Sequence, residues 1–343
     1  MNRLKQLPIS TKNGWPWNDE TLPEKYAHRK DWPKITIVTP SYNQGQFIEE
    51  TLRSIILQNY PNLEYIIMDA GSTDNTLSVI ESYREWIDVV ISEKDEGQSD
   101  AIEKGFKLAN GEILNWINSD DVLCKDGLFH IASAFLNQKD ADFVYGKNGI
   151  MNINSELYSY MPHHKDNLKL RYLYEMPYGQ QAIFFKKSLY VNCGGVNRYL
   201  RFSMDYELYI RMHLVGAKAV QIDNLIGNIR IHDSTKTSKL EEVMHQENGN
   251  AFMTFLKSLG MKSLVGFMEK LGHQTYEDYK VNITISKKEV RQVFLCYLKK
   301  NVWYYYNNQR RHLAKKMAIK IIAMDPTQLL NFNILKIIKD GTI

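Results

Sequence analysis

The stretch "INSDDVLCKDG", residues 117–127, puts Asp120 and Asp121 side by side directly after the apolar-rich run 113–117. Two adjacent carboxylates on a loop leaving a buried strand suit a divalent cation and a polyphosphate. Mg²⁺ or Mn²⁺ takes one or two protein oxygens in such a place and completes its shell with phosphate and water. Asp121 is the first choice for that ligand, although "SDD" would also serve as the cap of a helix over "KDGLFHIASAF". Three other segments end in similar polar groups: Thr39, Pro40, Ser41 and Tyr42 after "KITIV", Asp69 and Ser72 after "LEYIIM", and Glu93, Asp95 and Gln98 after "DVVIS". A nucleobase asks for an aromatic face and an acceptor for its ring N–H, which Tyr42 and Asp69 supply. Ribose hydroxyls ask for a carboxylate such as Asp95 or Asp120.

The elements that must position these groups follow from periodicity. "KITIVTP", "LEYIIMD", "DVVISE" and "EILNWI" read as strands, and "QFIEETLRSIILQN", "TLSVIESYREW" and "DAIEKGFKLA" carry apolar residues at helical spacing. Strand and helix alternate, which predicts an α/β fold with a mainly parallel sheet and helices on both faces. Ligands of such sheets sit beyond the carboxyl ends of the strands, where the strand order reverses. No GxxxxGK[ST] loop and no GxGxxG after the first strand is present, so P-loop and dinucleotide-binding readings lose their main supports.

With 343 residues, 44% of them hydrophobic and 24% charged, the chain is long enough for one large domain and an appendage. Three cysteines without CxxC spacing, and a start "MNRLKQLPIS" without an apolar run, point to a reducing, cytoplasmic setting. No stretch approaches the roughly 18 apolar residues of a membrane span. Residues 1–33, broken by four prolines and carrying Trp15, Trp17 and Trp32, read as an extended arm. From Leu256 onward 16 Lys and Arg stand against 6 Asp and Glu, whereas 27 stand against 33 before it. That shift sets off residues 246–343 as a basic helical region. Arg310, Arg311, Lys315, Lys316 and Lys320, interleaved with Leu313, Met317, Ile319 and Ile321, make a helix suited either to peripheral contact with an anionic membrane or to a solvated face over a helical core. Nucleic acid is not expected as a partner, since the basic residues form no recognition motif.

"ITIVTPSYNQGQFIEETLRSI", "YIIMDAGSTDNT", "SEKDEGQSDAIEKGFKLANGEILNWINSDD" and "QQAIFFKKSLYVNCGGVNRYLRFSMDYELYIRM" occur in the order and spacing of the family 2 glycosyltransferases, which this chain resembles over residues 34–240. The resemblance implies a GT-A fold over 34–245, with a nucleotide-binding half at 34–121 and an acceptor half at 122–245. It implies inverting transfer from a nucleotide-sugar donor to a hydroxyl of a glycan or lipid-linked acceptor in surface polysaccharide synthesis, with a divalent cation as cofactor. On it, Pro40 and Tyr42 lie along the nucleoside, Asp69 contacts the base, Asp120 faces the ribose and Asp121 the metal. Asp205 in "SMDYELYIRM" is the catalytic base, and His232 in "RIHDSTKTS" reaches the metal or diphosphate, with Lys236 a lesser phosphate candidate. The segment holding Gln180 and Gln181 frames the acceptor side, where two amides suit sugar hydroxyls or buried backbone. The chain departs from the family pattern at Ala70, where many members carry a second acid, and at Glu103, where many carry Asn.

Two other readings are weighed. A nucleotidyltransferase shares the sheet and a metal-binding Asp but needs a basic, glycine-rich loop near its first strand, and "TPSYNQGQ" has no Lys or Arg. A non-catalytic nucleotide-sugar-binding protein would be favoured by loss of Asp121 or Asp205, and both are present.

Overall fold

The computed structural model describes residues 3–162, 168–176, 178–233, 235 and 240–340. It divides into two compact units, Met1–His164 with Pro177–Asn248, and Lys165–Met176 with Gly249–Ile343.

The first unit is built on one sheet. Its strands are β1 (Ile35–Ser41), β2 (Leu63–Asp69), β3 (Val89–Ser92), β4 (Ile113–Trp116), β5 (Val122–Leu123), β6 (Phe143–Met151), β7 (Leu157–Tyr160), β8 (Ile183–Lys186) and β9 (Ala219–Arg230). They run in the order β3-β2-β1-β4-β8-β6-β9-β5, with β7 on β6. The four strands expected from the sequence form the parallel block β3-β2-β1-β4. β6 and β9 are also parallel, while β8 joins the two blocks by antiparallel pairing. β1 is buried throughout, as a near-continuous β-branched run in a two-faced sheet should be. Because β1 has β2 on one side and β4 on the other, its carboxyl end lies at the point where the order reverses.

Helices α1 (Ile48–Ile56), α2 (Thr76–Glu81), α3 (Gln98–Leu108), α4 (Gly127–Asn137), α5 (Lys187–Asn192), α6 (Met204–Leu214) and α7 (Glu241–Ser258) follow. The helix expected over 76–86 is split, ending at Glu81 and resuming as a 3-10 turn at Arg84–Trp86. The arm 3–33 belongs to this unit. Buried Arg53 of α1 donates to the carbonyls of Pro8, Pro16 and Trp17, and Trp15 Nε1 donates to the Leu123 carbonyl at 2.7 Å. A proline-broken segment has few backbone partners of its own, so a five-donor guanidinium supplies them.

The second unit is helical. Beyond the end of α7 it holds α8 (Lys262–Glu269), α9 (Lys287–Asn307), α10 (Arg311–Met324) and α11 (Phe332–Asp340). α9 starts at a capping box in which Ser286 and Glu289 exchange hydrogen bonds. In α10, Met317 and Ile321 of the expected apolar stripe are buried together with Ala314 and Ala318, whereas Leu313 is half-buried and Ile319 is 51% exposed. Among the described residues no helix is long and apolar enough to cross a membrane.

Candidate active site

At the ends of β1 and β2 the chain builds a rigid double turn. Asp69 ends β2 opposite Ser41 of β1 and Ser92 of β3. Its Oδ2 accepts from the N–H groups of Gly71 (3.0 Å) and Ser72 (2.9 Å) and from Ser92 Oγ (2.7 Å), while its Oδ1 accepts from Ser72 Oγ at 2.5 Å. Three of these donors meet Oδ2 and one meets Oδ1, so Asp69 shapes this turn while its Oδ1 keeps an acceptor site. The Asn43 N–H donates to Ser72 Oγ, and Asn43 Oδ1 accepts from the Thr73 N–H, both at 2.8 Å. Asn43 itself has φ +51°, a conformation asparagine tolerates. Pro40 is buried in β1 beside Met68, and Tyr42, 57% exposed, presents an open ring at the strand end. Asp95 is half-buried and takes the Gly97 N–H at 2.8 Å. Gln98, the first residue of α3, donates to Asn118 Oδ1 at 2.6 Å.

The two acids that follow β4 have opposite surroundings. Asp121 is buried. Its Oδ1 accepts the Arg230 backbone N–H at 2.9 Å, and its Oδ2 accepts from Gln181 (2.6 Å) and Asn118 (2.9 Å). Burial and the adjoining Asp120 charge push its pKa up, against the pull of those three donors. Asp120 is the partly open member, with Oδ2 3.2 Å from His232 Nε2. The buried His232 ring packs on Phe47 at 4.7 Å between centroids. The Asp120 carboxylate suits Mn²⁺ or Mg²⁺ sharing its shell with a diphosphate, and an imidazole nitrogen beside it favours Mn²⁺ over the harder Mg²⁺. Among the described residues no group of three His, Cys, Asp or Glu forms a complete protein cage.

Gln180 and Gln181 are both buried. Gln180 Nε2 donates to the Trp116 carbonyl (2.5 Å) and Asn115 Oδ1 (3.1 Å), and Gln181 Nε2 to Asp121. Their amides join the end of β4 to the start of β8. Lys236 lies outside the described residues.

Sequence reasoning passed over Arg230, the last residue of β9. Its side chain is 1% exposed. It donates from Nε to the Asp120 carbonyl at 2.8 Å, from Nη1 to Ser155 Oγ at 2.8 Å and from Nη2 to Glu50 Oε2 at 2.9 Å, and its guanidinium lies over Phe47 at 4.9 Å. The signal was an arginine between two isoleucines in "GNIRIH", a strand position where a charge is costly without a partner.

Asp205 stands in the first turn of α6, half-buried, accepting the Tyr206 N–H at 2.7 Å. Burial pushes its pKa up to about 6, and the charge of Glu247 adds to the rise. Glu247, on α7, accepts the backbone N–H groups of Arg201 (2.8 Å), Phe202 (2.9 Å) and Ser203 (2.8 Å), which cap the approach to α6 from outside. The same loop is held from its other side by α3: Ser99 Oγ donates to the Leu200 carbonyl, and Arg198 pairs with Asp100 at 2.8 Å. α3 therefore reaches the acids after β4 through Gln98 and the loop before Asp205 through Ser99 and Asp100. Glu207 is engaged by Arg211 at 2.6 and 2.8 Å, and Arg211 in turn holds the carbonyls of Cys193 and Gly195. Glu103 accepts the Tyr190 hydroxyl and so ties α3 to α5.

Comparison with known proteins identifies the family and the fold. The model of the family described as glycosyl transferase family 2 matches residues 36–209. The chain belongs to that family, and its fold is the GT-A α/β fold. It is 32% identical over 115 residues to the glycosyltransferase GlyG of Streptococcus pneumoniae, a match covering 33% of this chain and 38% of GlyG. It is 31% identical over 114 residues to the poly(ribitol-phosphate) β-N-acetylglucosaminyltransferase TarS of Staphylococcus aureus, covering 32% of this chain and 20% of TarS. The chain thus spans well under half the length of these two curated relatives. Among solved structures, TarS 1–349 in complex with UDP aligns with a TM-score of 0.59 at 16% identity, over 90% of this chain and 88% of that one. A mannosyltransferase from Pyrobaculum calidifontis in complex with GDP-Man and Mn²⁺ aligns with a TM-score of 0.52 at 16% identity, over 99% and 89%.

Proposed function

We propose that this chain is an inverting glycosyltransferase that moves a hexose-type sugar from a nucleoside diphosphate to a hydroxyl of a glycan or lipid-linked acceptor, in surface polysaccharide synthesis on the cytoplasmic side of the membrane. The observation that carries the reading is that a family 2 domain holds both a partly open Asp120 beside His232 after β4 and a half-buried carboxyl, Asp205, in the first turn of α6. TarS and the P. calidifontis enzyme, solved with UDP and with GDP-Man and Mn²⁺, support the donor class and the cation.

In this reading Tyr42 stacks on the base, and Pro40 and Asp69 hold the wall beside it. Asp95 and Gln98 shape the loop along the ribose. Asp120 and His232 would hold the cation, which when bound supplies Lewis-acid stabilisation of the departing diphosphate. This reading gives the metal role that the resemblance implies for Asp121 to Asp120: Asp121, with both oxygens accepting N–H donors, is the positioning group that orients Asp120, Gln181 and Arg230. Gln180 and Gln181 likewise act through the framework.

Asp205 takes the proton of the acceptor hydroxyl as that oxygen attacks the anomeric carbon and the bond to the diphosphate breaks. A pKa near 6 leaves it ionised at neutral pH yet basic enough to accept a proton in the transition state. Displacement with this base on the acceptor side inverts the anomeric centre. Measuring nucleoside diphosphate release from a panel of UDP- and GDP-sugars, with Mn²⁺ and after chelation, tests the reading. Release from at least one donor is expected, and no release from any donor by folded protein contradicts it.

A further inference from the structure

The second unit carries an exposed apolar surface that neither the transfer reaction nor the unit's own core uses. Leu329 and Leu330 end a 3-10 turn at Pro326–Leu330, and α11 follows directly with Phe332 and Leu335. These four residues, within seven positions, are 52%, 91%, 79% and 40% exposed. α11 is two-sided. Ile334 and Ile337 are buried, whereas Phe332, Leu335, Lys336 and Lys339 are exposed at the i, i+3, i+4, i+7 spacing of one outer face. Large exposed apolar clusters on folded domains mark interaction sites.

The charge around this face selects the partner. Residues 310–340 hold seven Lys and Arg against two Asp. Both acids are engaged: Asp325 by Lys299 at 2.9 Å and by Thr327 and Gln328, and Asp340 by the Tyr306 hydroxyl. The centre of a protein–protein interface is depleted in lysine, yet Lys336 and Lys339 lie one turn from Phe332 and Leu335 on the same face. Apolar tips ringed by lysine are instead what a bilayer boundary takes, with acyl chains below and anionic headgroups above.

We propose that Leu329, Leu330, Phe332 and Leu335 insert into the headgroup–acyl boundary of an anionic membrane while Lys336 and Lys339 contact lipid phosphates. This docking is independent of the transfer chemistry in the first unit. It differs from adsorption of α10 along its apolar stripe, in which Met317 and Ile321 are buried.

The test is co-sedimentation of the full 343-residue chain with vesicles of phosphatidylglycerol in phosphatidylcholine, against phosphatidylcholine alone. The chain is expected to pellet with the anionic vesicles and to be released by salt, since screening shortens such attraction to about 8 Å at physiological ionic strength. Leu330→Ser with Phe332→Ser should weaken binding at least about tenfold. Lys336→Gln and Lys339→Gln should each weaken it about fivefold. All four positions are exposed, so thermal melting should leave these variants near wild type. Equal pelleting with neutral vesicles, or variants that bind as wild type, would overturn the proposal. So would a concentration-dependent dimer in sedimentation velocity that the Leu330→Ser, Phe332→Ser variant abolishes with no vesicle binding, because a second copy would then cover the face.

Discussion

The backbone N–H of Arg230 donates to Asp121 Oδ1 at 2.9 Å, joining the last residue of β9 to an acid 109 positions earlier in the chain. The Arg230 side chain leaves in another direction, to the Asp120 carbonyl and to Glu50. One residue thus fixes both members of the acid pair from behind. Breaking a buried ion pair by removing one partner leaves the other charge uncompensated. Arg230→Met should therefore destabilise the first unit by about 3–5 kcal/mol, read from urea unfolding. Glu50→Gln should cost less, because an amide still accepts from Arg230 and Ser155.

The two adjacent acids separate by variant. Asp120→Asn should fold as wild type and lose the Mn²⁺-dependent part of nucleoside diphosphate affinity, measured by calorimetric titration. Asp121→Asn should instead lower stability by about 1–3 kcal/mol, because its new N–H₂ meets donors where a carboxylate accepted three N–H groups. Equal stability of the two variants would show that Asp121 is not the positioning member.

Tyr42→Ala should weaken nucleotide binding by about 1–3 kcal/mol if its open ring stacks on the base, with no change in melting temperature. Unchanged affinity would place the base elsewhere.

Glu247 makes a prediction that a merely structural role would not. Removing its charge while keeping an amide, Glu247→Gln, should lower the pKa governing the acid limb of the turnover profile, because the Glu247 charge contributes to the raised pKa of Asp205. Glu247→Ala should in addition free the N–H groups of residues 201–203 and reduce turnover at every pH.

The parallel block β3-β2-β1-β4 and its helices were legible because β1 and β3 are β-branched runs, β2 and β4 are mostly apolar, and the intervening helices carry apolar residues at helical spacing. The polar residues at the strand ends could be named from the sequence as candidates, whereas Arg230 could not. The orientation of neighbouring side chains was not legible: whether Asp120 or Asp121 faces outward depends on the turn closed by the Asp121 N–H to the Asn118 carbonyl and on Arg230 arriving from β9. Glu247 lay hidden for the same reason. Its partners are backbone N–H groups more than forty residues away, which no local pattern encodes.

Asp205 carries the central claim, and its raised pKa gives that claim a stability signature besides a rate. The folded chain holds this proton more tightly than the ordinary carboxyl value of 3.8, so the carboxyl is tolerated best below pH 4 and weakens the fold as pH rises through about 6. Asp205→Asn should therefore melt higher than wild type at pH 7 and alike at pH 4. Wild-type turnover should climb with pH through about 6, as the base ionises.

The most direct measurement is nucleoside diphosphate release by Asp205→Asn at saturating donor, alongside calorimetric titration of the same donor. Release slowed by about 10²–10⁴-fold with donor affinity unchanged is the result expected of a general base that acts only in the chemical step. Release at the wild-type rate from a variant that binds donor normally would contradict it. With Glu207 held by Arg211, no other acid in the first turn of α6 would then be available to take the role.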